Sequence, residues 1–392
     1  MKSSLKDKID IVFYADFGSW RGGGKEVSIL TESLFKGGLL GKVFVRDRGM
    51  AKGTKFDKYV ISSILGGNFF PRFLSGMQKF IYRPLPARSI GEKFFEIFTN
   101  LRFSPENKIV FMALPIESVL KKAKKAKVKT INYSRVLHPV YNLTLIQEEF
   151  ARFNLKFKNK SLLKSLERFQ KILPKHDFII VLSNFAKQNY VQYGLPEERI
   201  FVNPLGIDLE EFKPIPLSAG SKKEKTFLFI GGLTLLKGAH YLLEAWKQLN
   251  LKDAKLIVCG NKEPDDWPLI EKYRNLPNVE FPGFVEPKDY YQKSLVFVFP
   301  SLSEGFPRVV GEALASGLPV ITTPPAAHCV REGIDGFIVP IRDVEALKEK
   351  ILYFYKNPDK TIEMGKNARQ RAEEFTWEKY GERFIKIIET IL

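Results

Sequence analysis

The sequence predicts an α/β protein built from two doubly wound domains, each with a parallel sheet. Its 392 residues exceed what one hydrophobic core usually organises, and they suit two domains of ordinary size. Short runs of almost wholly apolar residues recur along the chain, as is typical of strands buried on both faces of a parallel sheet. Two of these runs lead through a glycine-containing turn into a helical pattern, which is how strand and helix are joined in such a sheet.

The composition excludes several classes of protein. Hydrophobic residues make up 44% and charged residues 27% of the chain, which is typical of globular rather than disordered proteins. No apolar run reaches the roughly 18 residues of a transmembrane helix, and residues 1–10 lack the apolar core of a signal peptide. The two cysteines, Cys259 and Cys329, predict no disulfide framework and fit a reducing compartment, so we expect a cytoplasmic protein.

The excess of positive over negative charge lies entirely in the first half. Of the net charge of +18, residues 1–200 carry +19 and residues 201–392 carry −1. This asymmetry predicts an anionic partner for the first half, either a membrane surface or an acidic glycan, unless the excess is only solvated surface lysines. The lysine run at 121–129 allows the same two interpretations. No nucleic-acid-binding module has its signature here, so nucleic acid is not expected as a partner.

The elements follow in order along the chain. Predicted strands lie at residues 9–14, 42–45, 58–64, 130–133, 178–182, 225–230, 256–260, 294–300, 320–323 and 333–340. Helices are predicted from residue 25, over 162–173, from 183, over 309–317, from 345 and over 378–392. Asn, Gly and Pro residues, followed by a Ser- and Lys-rich segment, place a linker near residues 205–220.

The most informative stretch is 301–319, which reads S-L-S-E-G-F-P-R-V-V-G-E-A-L-A-S-G-L-P after an apolar strand. A helix is predicted from Val309 to a C-cap at Gly317. Its first N–H groups have no partner inside the helix and lie at the positive end of the helix dipole, so they can bind an anion. Glu304 and Glu312 bracket this anion site, and ionised carboxylates accept hydrogen bonds from hydroxyls. Together these features describe a site for a nucleotide sugar; the alternative is an ordinary strand–helix unit with two solvated glutamates.

This stretch resembles the signature of the retaining glycosyltransferases of family 4, which have the GT-B fold. The resemblance spans nearly the whole chain, is highly specific at 225–340 and is loose before 180. It implies two Rossmann-like domains facing a cleft: an acceptor-binding domain (1–205) and a nucleotide-sugar-binding domain (206–375). It also implies that a C-terminal helix (376–392) crosses back onto the first domain.

The resemblance also implies roles for individual residues. Lys237 and the amides of 305–311 would bind the donor diphosphate, Glu312 the ribose and Glu304 the sugar hydroxyls. The implied donor-binding set is Gly231, Gly232, Lys237, Gly283, Phe284, Glu304, Gly305, Phe306, Pro307, Arg308, Val309 and Glu312. The implied catalytic residues are Glu304, Lys237 and His138; His138 would lie near the reacting sugar carbon, unless it is only a structural histidine.

One position departs from the family pattern. Residues 231–238 read G-G-L-T-L-L-K-G, where the family has G-R-L-x-x-x-K-G, so Gly232 stands in place of an arginine that pairs with the diphosphate. Two compensations are conceivable. Glycine allows a closer approach of the backbone, or Arg308 supplies the missing guanidinium.

Two segments of the first half can each be interpreted in two ways. The turn with Arg21, Gly22, Gly23 and Gly24 resembles the glycine loop on the acceptor side of the family, although a plain tight turn has the same composition. Residues 68–103 interleave phenylalanines with Lys and Arg. That pattern suits either a segment docked on anionic lipid or, as we favour, an ordinary pair of amphipathic helices.

The sequence therefore predicts a retaining glycosyltransferase that moves a sugar from a UDP- or GDP-linked donor to a glycan or a lipid-linked acceptor. By resemblance, the acceptor attacks on the face that the diphosphate leaves, so no enzymic nucleophile is assigned. The chain has no Asp-x-Asp, and neither a metal nor another cofactor is expected. The basic first half favours an anionic acceptor and peripheral attachment to the inner face of the membrane. Two alternatives are a GT-B nucleotide-sugar epimerase and a non-catalytic subunit of a transferase complex. A GT-B phosphorylase would need a lysine that holds pyridoxal phosphate, and no signature of such a lysine is present.

Overall fold

The structure is a computed structural model that describes residues 8–19, 23–63, 87–214, 225–261 and 267–392. These residues form two parallel β-sheets, one of seven strands and one of six. The strands of the first sheet are β1 (Ile9–Asp16), β2 (Leu40–Asp47), β3 (Val60–Ser62), β4 (Ile109–Met112), β5 (Lys129–Tyr133), β6 (Phe178–Val181) and β7 (Ile200–Val202). Those of the second are β8 (Lys225–Ile230), β9 (Ala254–Cys259), β10 (Val279–Gly283), β11 (Val296–Phe299), β12 (Val320–Thr322) and β13 (Gly336–Ile338).

Helices connect the strands in both halves. In the first half they are α1 (Gly24–Lys36), α2 (Ala87–Arg102), α3 (Glu117–Lys125), α4 (Pro139–Arg152), α5 (Lys160–Ile172) and α6 (Asn184–Gln192). In the second half they are α7 (Ala239–Leu249), α8 (Trp267–Glu271), α9 (Lys288–Lys293), α10 (Arg308–Ala315), α11 (Val344–Lys356), α12 (Pro358–Ala372) and α13 (Trp377–Ile391). Within the described ranges, no helix is both long and apolar enough to cross a bilayer.

The strand order places the functional loops. The first sheet runs β3-β2-β1-β4-β5-β6-β7 and the second runs β10-β9-β8-β11-β12-β13. In each sheet the order reverses beside the first strand, between β1 and β4 and between β8 and β11. The loops after two such strands diverge, and the crevice between them is where ligands bind in sheets of this kind. The loops after β8 and β11 carry Lys237 and Glu304.

Each sheet has its own hydrophobic core, but some residues from one half of the chain pack in the core of the other domain. Helix α13 packs on the first domain, where Tyr380, Phe384 and Ile388 are buried beside α1. Phe306 belongs by sequence to the second half, but it packs in the same first-domain core. In the opposite direction, Leu145 of α4 packs in the core of the second domain.

The predicted fold class is confirmed: both halves are doubly wound parallel sheets, and the last helix returns to the first domain. The predicted strand at 58–64 is shorter, since only Val60–Ser62 pairs with β2. Of the aromatic segment, residues 68–86 lie outside the described residues, as do Arg21 and Gly22. Phe95 and Phe103 are buried in the first-domain core, which supports the amphipathic-helix interpretation for that part. The exact boundaries at 205 and 375 stay predictions.

Candidate active site in the cleft of the second domain

Lys237 and Glu304 meet at the point where the strand order of the second sheet reverses. The Lys237 Nζ donates to Glu304 Oε1 at 2.5 Å, and the Ser301 hydroxyl donates to the same oxygen at 2.8 Å. Glu304 is 10% exposed and Lys237 is 31% exposed. The carboxylate is therefore held from two sides, while the ammonium keeps donors that face solvent.

The backbone around Lys237 leaves little freedom for its position. Residues Leu235–Lys237 form one turn of 3₁₀ helix, which ends at Gly238 with φ of 71°. A Cβ atom at Gly238 would lie 2.0 Å from the Pro300 carbonyl oxygen. The Leu302 N–H donates to the Leu236 carbonyl at 2.7 Å. The Ser301 hydroxyl oxygen lies 2.9 Å from the same carbonyl, which shares the single hydroxyl proton with Glu304 Oε1. These hydrogen bonds join the two loops and hold Lys237 opposite Glu304.

Helix α10 begins one residue before the predicted start. Its N-cap is Pro307, which provides no side-chain cap, and the Val310 N–H donates to the Pro307 carbonyl at 3.1 Å. A helix N-terminus without a side-chain cap is a place where an anion can bind. At the other end the Gly317 N–H bonds the Leu314 carbonyl and the Leu318 N–H bonds the Ala313 carbonyl. Gly317 has φ of 75°, which completes a Schellman motif. The predicted stop of this helix at Gly317 is confirmed.

Glu312 lies one turn into α10 and is held by a residue that the sequence did not point to. The Tyr291 hydroxyl donates to Glu312 Oε2 at 3.1 Å, and Arg308 Nε lies 3.8 Å from Oε1. Burial raises the pKa of Glu312 above its ordinary value, and the Arg308 charge and the Tyr291 hydrogen bond offset this in part. Arg308 thus pairs with Glu312 in this structure. Tyr291 lies on α9 and carries no sequence signal, since only the fold brings it to α10.

The structure leaves open space at Gly232. Among the described residues, which leave out 262–266, a Cβ atom there would meet nothing nearer than the Thr234 methyl at 4.0 Å, and the Gly232 backbone is not among those with positive φ. Steric need therefore does not explain the glycine at position 232.

Gly283 ends β10 with φ of 81°, and its carbonyl accepts from the Gly260 N–H at 2.8 Å. Phe284 follows it with 66% of its surface exposed, an aromatic face at the same edge of the sheet.

The described part of the predicted acceptor-side turn forms the start of α1 in the first domain. Gly23 and Gly24 form the N-cap and first residue of α1. A Cβ at Gly23 would lie 2.2 Å from the Phe13 ring, and one at Gly24 would lie 2.3 Å from the Asp16 carbonyl oxygen. These two glycines are needed for close packing.

The turn that carries Glu304 is in direct contact with the first domain. A Cβ at Gly305 would lie 2.1 Å from the Arg135 carbonyl oxygen, and the Ser303 hydroxyl bonds the Asn142 side chain. The Phe306 ring lies 3.6 Å, centroid to centroid, from the His328 ring. The structure is therefore a closed arrangement in which both domains line the space next to Glu304.

His138 has a different environment from the one predicted. Its backbone N–H donates to the Asn189 side chain at 2.9 Å, and its Nδ1 accepts from the Val140 N–H at 3.3 Å as the cap of α4. Its ring stacks on Tyr193 at 4.6 Å, and burial lowers its pKa to about 4. These contacts give His138 a structural role in the first domain and do not join it to Lys237 or Glu304. A catalytic role for His138 stays a prediction without support from its contacts.

Among the residues that the structure describes, no three His, Cys, Asp or Glu side chains are grouped as a metal site would require. The free thiols of Cys259 and Cys329 are buried, and burial raises the pKa of both. They are therefore neutral packing residues.

Two facing doubly wound domains, with an uncapped helix N-terminus at the cleft, define the GT-B class of fold. Solved structures agree: sucrose-phosphate synthase from Thermosynechococcus elongatus superimposes with a TM-score of 0.70 at 20% identity, over 98% of this chain and 99% of that chain. Anabaena Alr3699/HepE does so with a TM-score of 0.63 at 16% identity, over 98% and 99%. Residues 215–371 match the model of the glycosyl transferases group 1. The match covers most of the second domain and does not extend into the first.

Two of the curated relatives that match the chain are also named as glycosyltransferases. The putative colanic acid biosynthesis glycosyltransferase WcaL of Escherichia coli is 28% identical over 221 residues, which is 52% of this chain and 54% of the relative. The capsular polysaccharide biosynthesis glycosyltransferase CapM of Staphylococcus aureus is 33% identical over 209 residues, 50% of this chain and 53% of the relative. The chain thus spans about half the length of the curated relatives it matches.

Proposed function

We propose that the protein is a retaining glycosyltransferase that moves a sugar from a nucleotide-diphosphate sugar to a glycan or a lipid-linked acceptor. The observation that carries the proposal is the Lys237–Glu304 pair, at 2.5 Å, beside the uncapped N-terminus of α10. A cation and a helix N-terminus suit a diphosphate, and a buried carboxylate suits sugar hydroxyls. The Anabaena protein of similar fold has been solved in complex with UDP and glucose, which is in keeping with such a donor.

In the proposed mechanism, negative charge builds on the diphosphate as its bond to the sugar breaks. The first amides of α10 and the Lys237 ammonium are preorganised around that position, and electrostatic stabilisation of this kind is usually the largest catalytic contribution. Glu304 would accept hydrogen bonds from sugar hydroxyls, and Glu312, oriented by Tyr291, from the ribose. The acceptor would enter from the first domain and attack on the face that the diphosphate leaves.

We further propose that the acceptor is anionic or lipid-linked and that the protein works at the inner face of a membrane. The support is the charge of +19 in residues 1–200, because a basic surface concentrates anionic partners and lipid head groups. The names of WcaL and CapM, which refer to colanic acid and capsular polysaccharide, are in keeping with a cell-envelope glycan.

The donor can be identified by ligand-induced stabilisation. We expect one of UDP, GDP or ADP, or the matching nucleotide sugar, to raise the melting temperature, since a ligand that binds only the folded state stabilises it. The shift should persist with EDTA, because the proposed site uses amides and Lys237 rather than a metal. A shift without any acceptor-dependent product would favour the epimerase or the non-catalytic subunit. No shift with any nucleotide would contradict the proposed function.

The contact between the two domains at Gly305 should be required for sugar transfer. Gly305→Ala places a methyl group against the Arg135 carbonyl, and backbone cannot move aside cheaply. We expect a fall in kcat of about 100-fold, since a misplacement of about 1 Å in a reacting site can cost that much. The matched control is Gly37→Ala at the end of α1, where φ is −77° and a Cβ atom would lie 3.5 Å from the nearest atom, the Ser33 carbonyl oxygen. Equal activity of the two variants would show that the closed contact is not used.

A further inference from the structure

One face of α4, a helix of the first domain, packs against the loops that carry Lys237 and Glu304. Apart from Pro139 at its start, the buried residues of α4 recur at the three- and four-residue spacing of a single helix face. They are Asn142, Leu145, Ile146, Glu149 and Phe150. Ile146 and Phe150 pack with Leu235, which begins the turn that ends at Lys237. The first domain therefore supports the loop after β8 directly.

Asn142 extends this support to the loop after β11. The residue is buried, with 8% of its surface exposed. Its Nδ2 donates to the Leu137 carbonyl at 2.9 Å, and its Oδ1 accepts from the Ser303 hydroxyl. Both ends of the amide thus have partners, as buried polar groups require. One partner lies in each domain, so Asn142 joins the turn before Glu304 to the start of α4.

Glu304 lies between two contacts with the first domain. Ser303, the residue before it, bonds Asn142. Gly305, the residue after it, packs so closely that a Cβ atom would lie 2.1 Å from the Arg135 carbonyl oxygen. The carboxylate itself is held by groups of the second domain, whereas these two contacts hold the backbone that carries it. The orientation of Glu304 therefore depends on both domains.

We propose that Asn142 is a positioning residue for sugar transfer. Through the Ser303 hydroxyl it holds the backbone before Glu304, so that the carboxylate meets the sugar hydroxyls of the donor. This inference rests on the proposed function and adds to it that recognition of the donor sugar requires a residue of the first domain. Affinity for the nucleotide alone should not depend on Asn142, because the proposed partners of the diphosphate are Lys237 and the N-terminus of α10 rather than Glu304.

The test removes each side of this hydrogen bond in turn. Ser303→Ala deletes the donor and leaves the bond from Asn142 to Leu137 in place, and Asn142→Ala deletes the acceptor. Calorimetry gives dissociation constants for UDP, GDP and ADP and for the nucleotide sugars of the one that binds. We expect each variant to weaken nucleotide-sugar binding by about 5- to 10-fold relative to nucleotide binding, the usual effect of losing one hydrogen bond. The double variant should be at most about twofold weaker than either single one, because both changes remove the same bond.

The matched control is Ser33→Ala. The Ser33 hydroxyl is also half-buried and donates to the Ile29 carbonyl at 2.9 Å, but it lies on α1 and faces α13. This variant should leave every dissociation constant unchanged.

Three results would overturn the inference while the proposed function stands. One is unchanged binding by Ser303→Ala, which decides the matter even if Asn142→Ala does not fold. Another is a loss in Ser303→Ala that a folded Asn142→Ala does not share. The third is equal weakening of nucleotide and nucleotide sugar together with a lower denaturant midpoint, which would show that the bond only stabilises the domain contact. Wild-type protein that binds neither nucleotide nor nucleotide sugar would instead overturn the proposed function, and this inference with it.

Discussion

Lys237→Ala is expected to lower kcat for sugar transfer by about 100- to 1,000-fold, the usual cost of removing one preorganised donor at a developing negative charge. The ammonium lies 2.5 Å from Glu304 Oε1, and the Lys237 side chain as a whole is 31% exposed. Its removal leaves the diphosphate without that charge and leaves Glu304 with only the Ser301 hydroxyl to orient it. The measurement is the steady-state rate with the donor that stabilises the protein.

The matched control is Lys255→Ala. Lys255 belongs to the same sheet, has a similar side-chain exposure of 35% and pairs with Glu280 at 2.6 Å, but it lies on β9 away from the loops after β8 and β11. We expect this variant to keep wild-type activity. If both lysine variants retained full activity, Lys237 would have no role in transfer, and the non-catalytic alternative would gain support.

Glu149→Gln is expected to cause the largest loss of stability, about 3–5 kcal/mol in the free energy of unfolding, as for removal of one partner from a buried ion pair. Glu149 is fully buried on α4, and its Oε1 accepts from Arg342 Nε at 2.6 Å. Its Oε2 accepts from the Tyr241 hydroxyl at 2.9 Å and lies 3.5 Å from His240 Nε2. Arg342, Tyr241 and His240 all belong to the second half of the chain, so this carboxylate joins the two domains.

The control for this prediction uses the same arginine. Glu148 bonds Arg342 Nη2 at 2.8 Å but is 49% exposed. Glu148→Gln should therefore cost no more than about 1 kcal/mol, as is typical of exposed pairs. Denaturant unfolding of both variants provides the comparison. Equal effects would mean that the burial of Glu149 does not matter to stability.

The stabilisation by Glu149 should also depend on pH in a defined direction. Burial alone would raise the pKa of Glu149, but His240, Tyr241 and the Arg342 charge hold it below its ordinary value of 4.5. A carboxylate with a lowered folded-state pKa stabilises the protein above its unfolded-state pKa, and this stabilisation is lost as the pH falls through the folded-state pKa. The difference between wild type and Glu149→Gln should thus be full at pH 7 and shrink below about pH 4.5.

Much of the molecule was predictable because it depends on local patterns. The apolar runs indicated the strands, since a strand buried on both faces needs apolar residues along its whole length. The turn and helix at 301–317 were readable because Glu304, the glycines and the helix end follow short-range backbone rules. Lys237 and Glu304 were both assigned to the donor site by resemblance, and the order of the strands explains why they meet.

What the sequence alone determined is ten of the strands, the doubly wound class and the residues of the turn at 301–307; β4, β7 and β10 were not among the predicted strands. Only the tertiary structure decided which residues from distant parts of the chain contact one another. Arg135 beside Gly305, Tyr291 on Glu312 and Glu149 under Arg342 are such contacts. The cap that His138 provides for α4 is another local feature that only the structure shows. No periodicity signal encodes these pairs, because they arise only when each domain folds and the two domains meet, which buries polar groups that must then find partners.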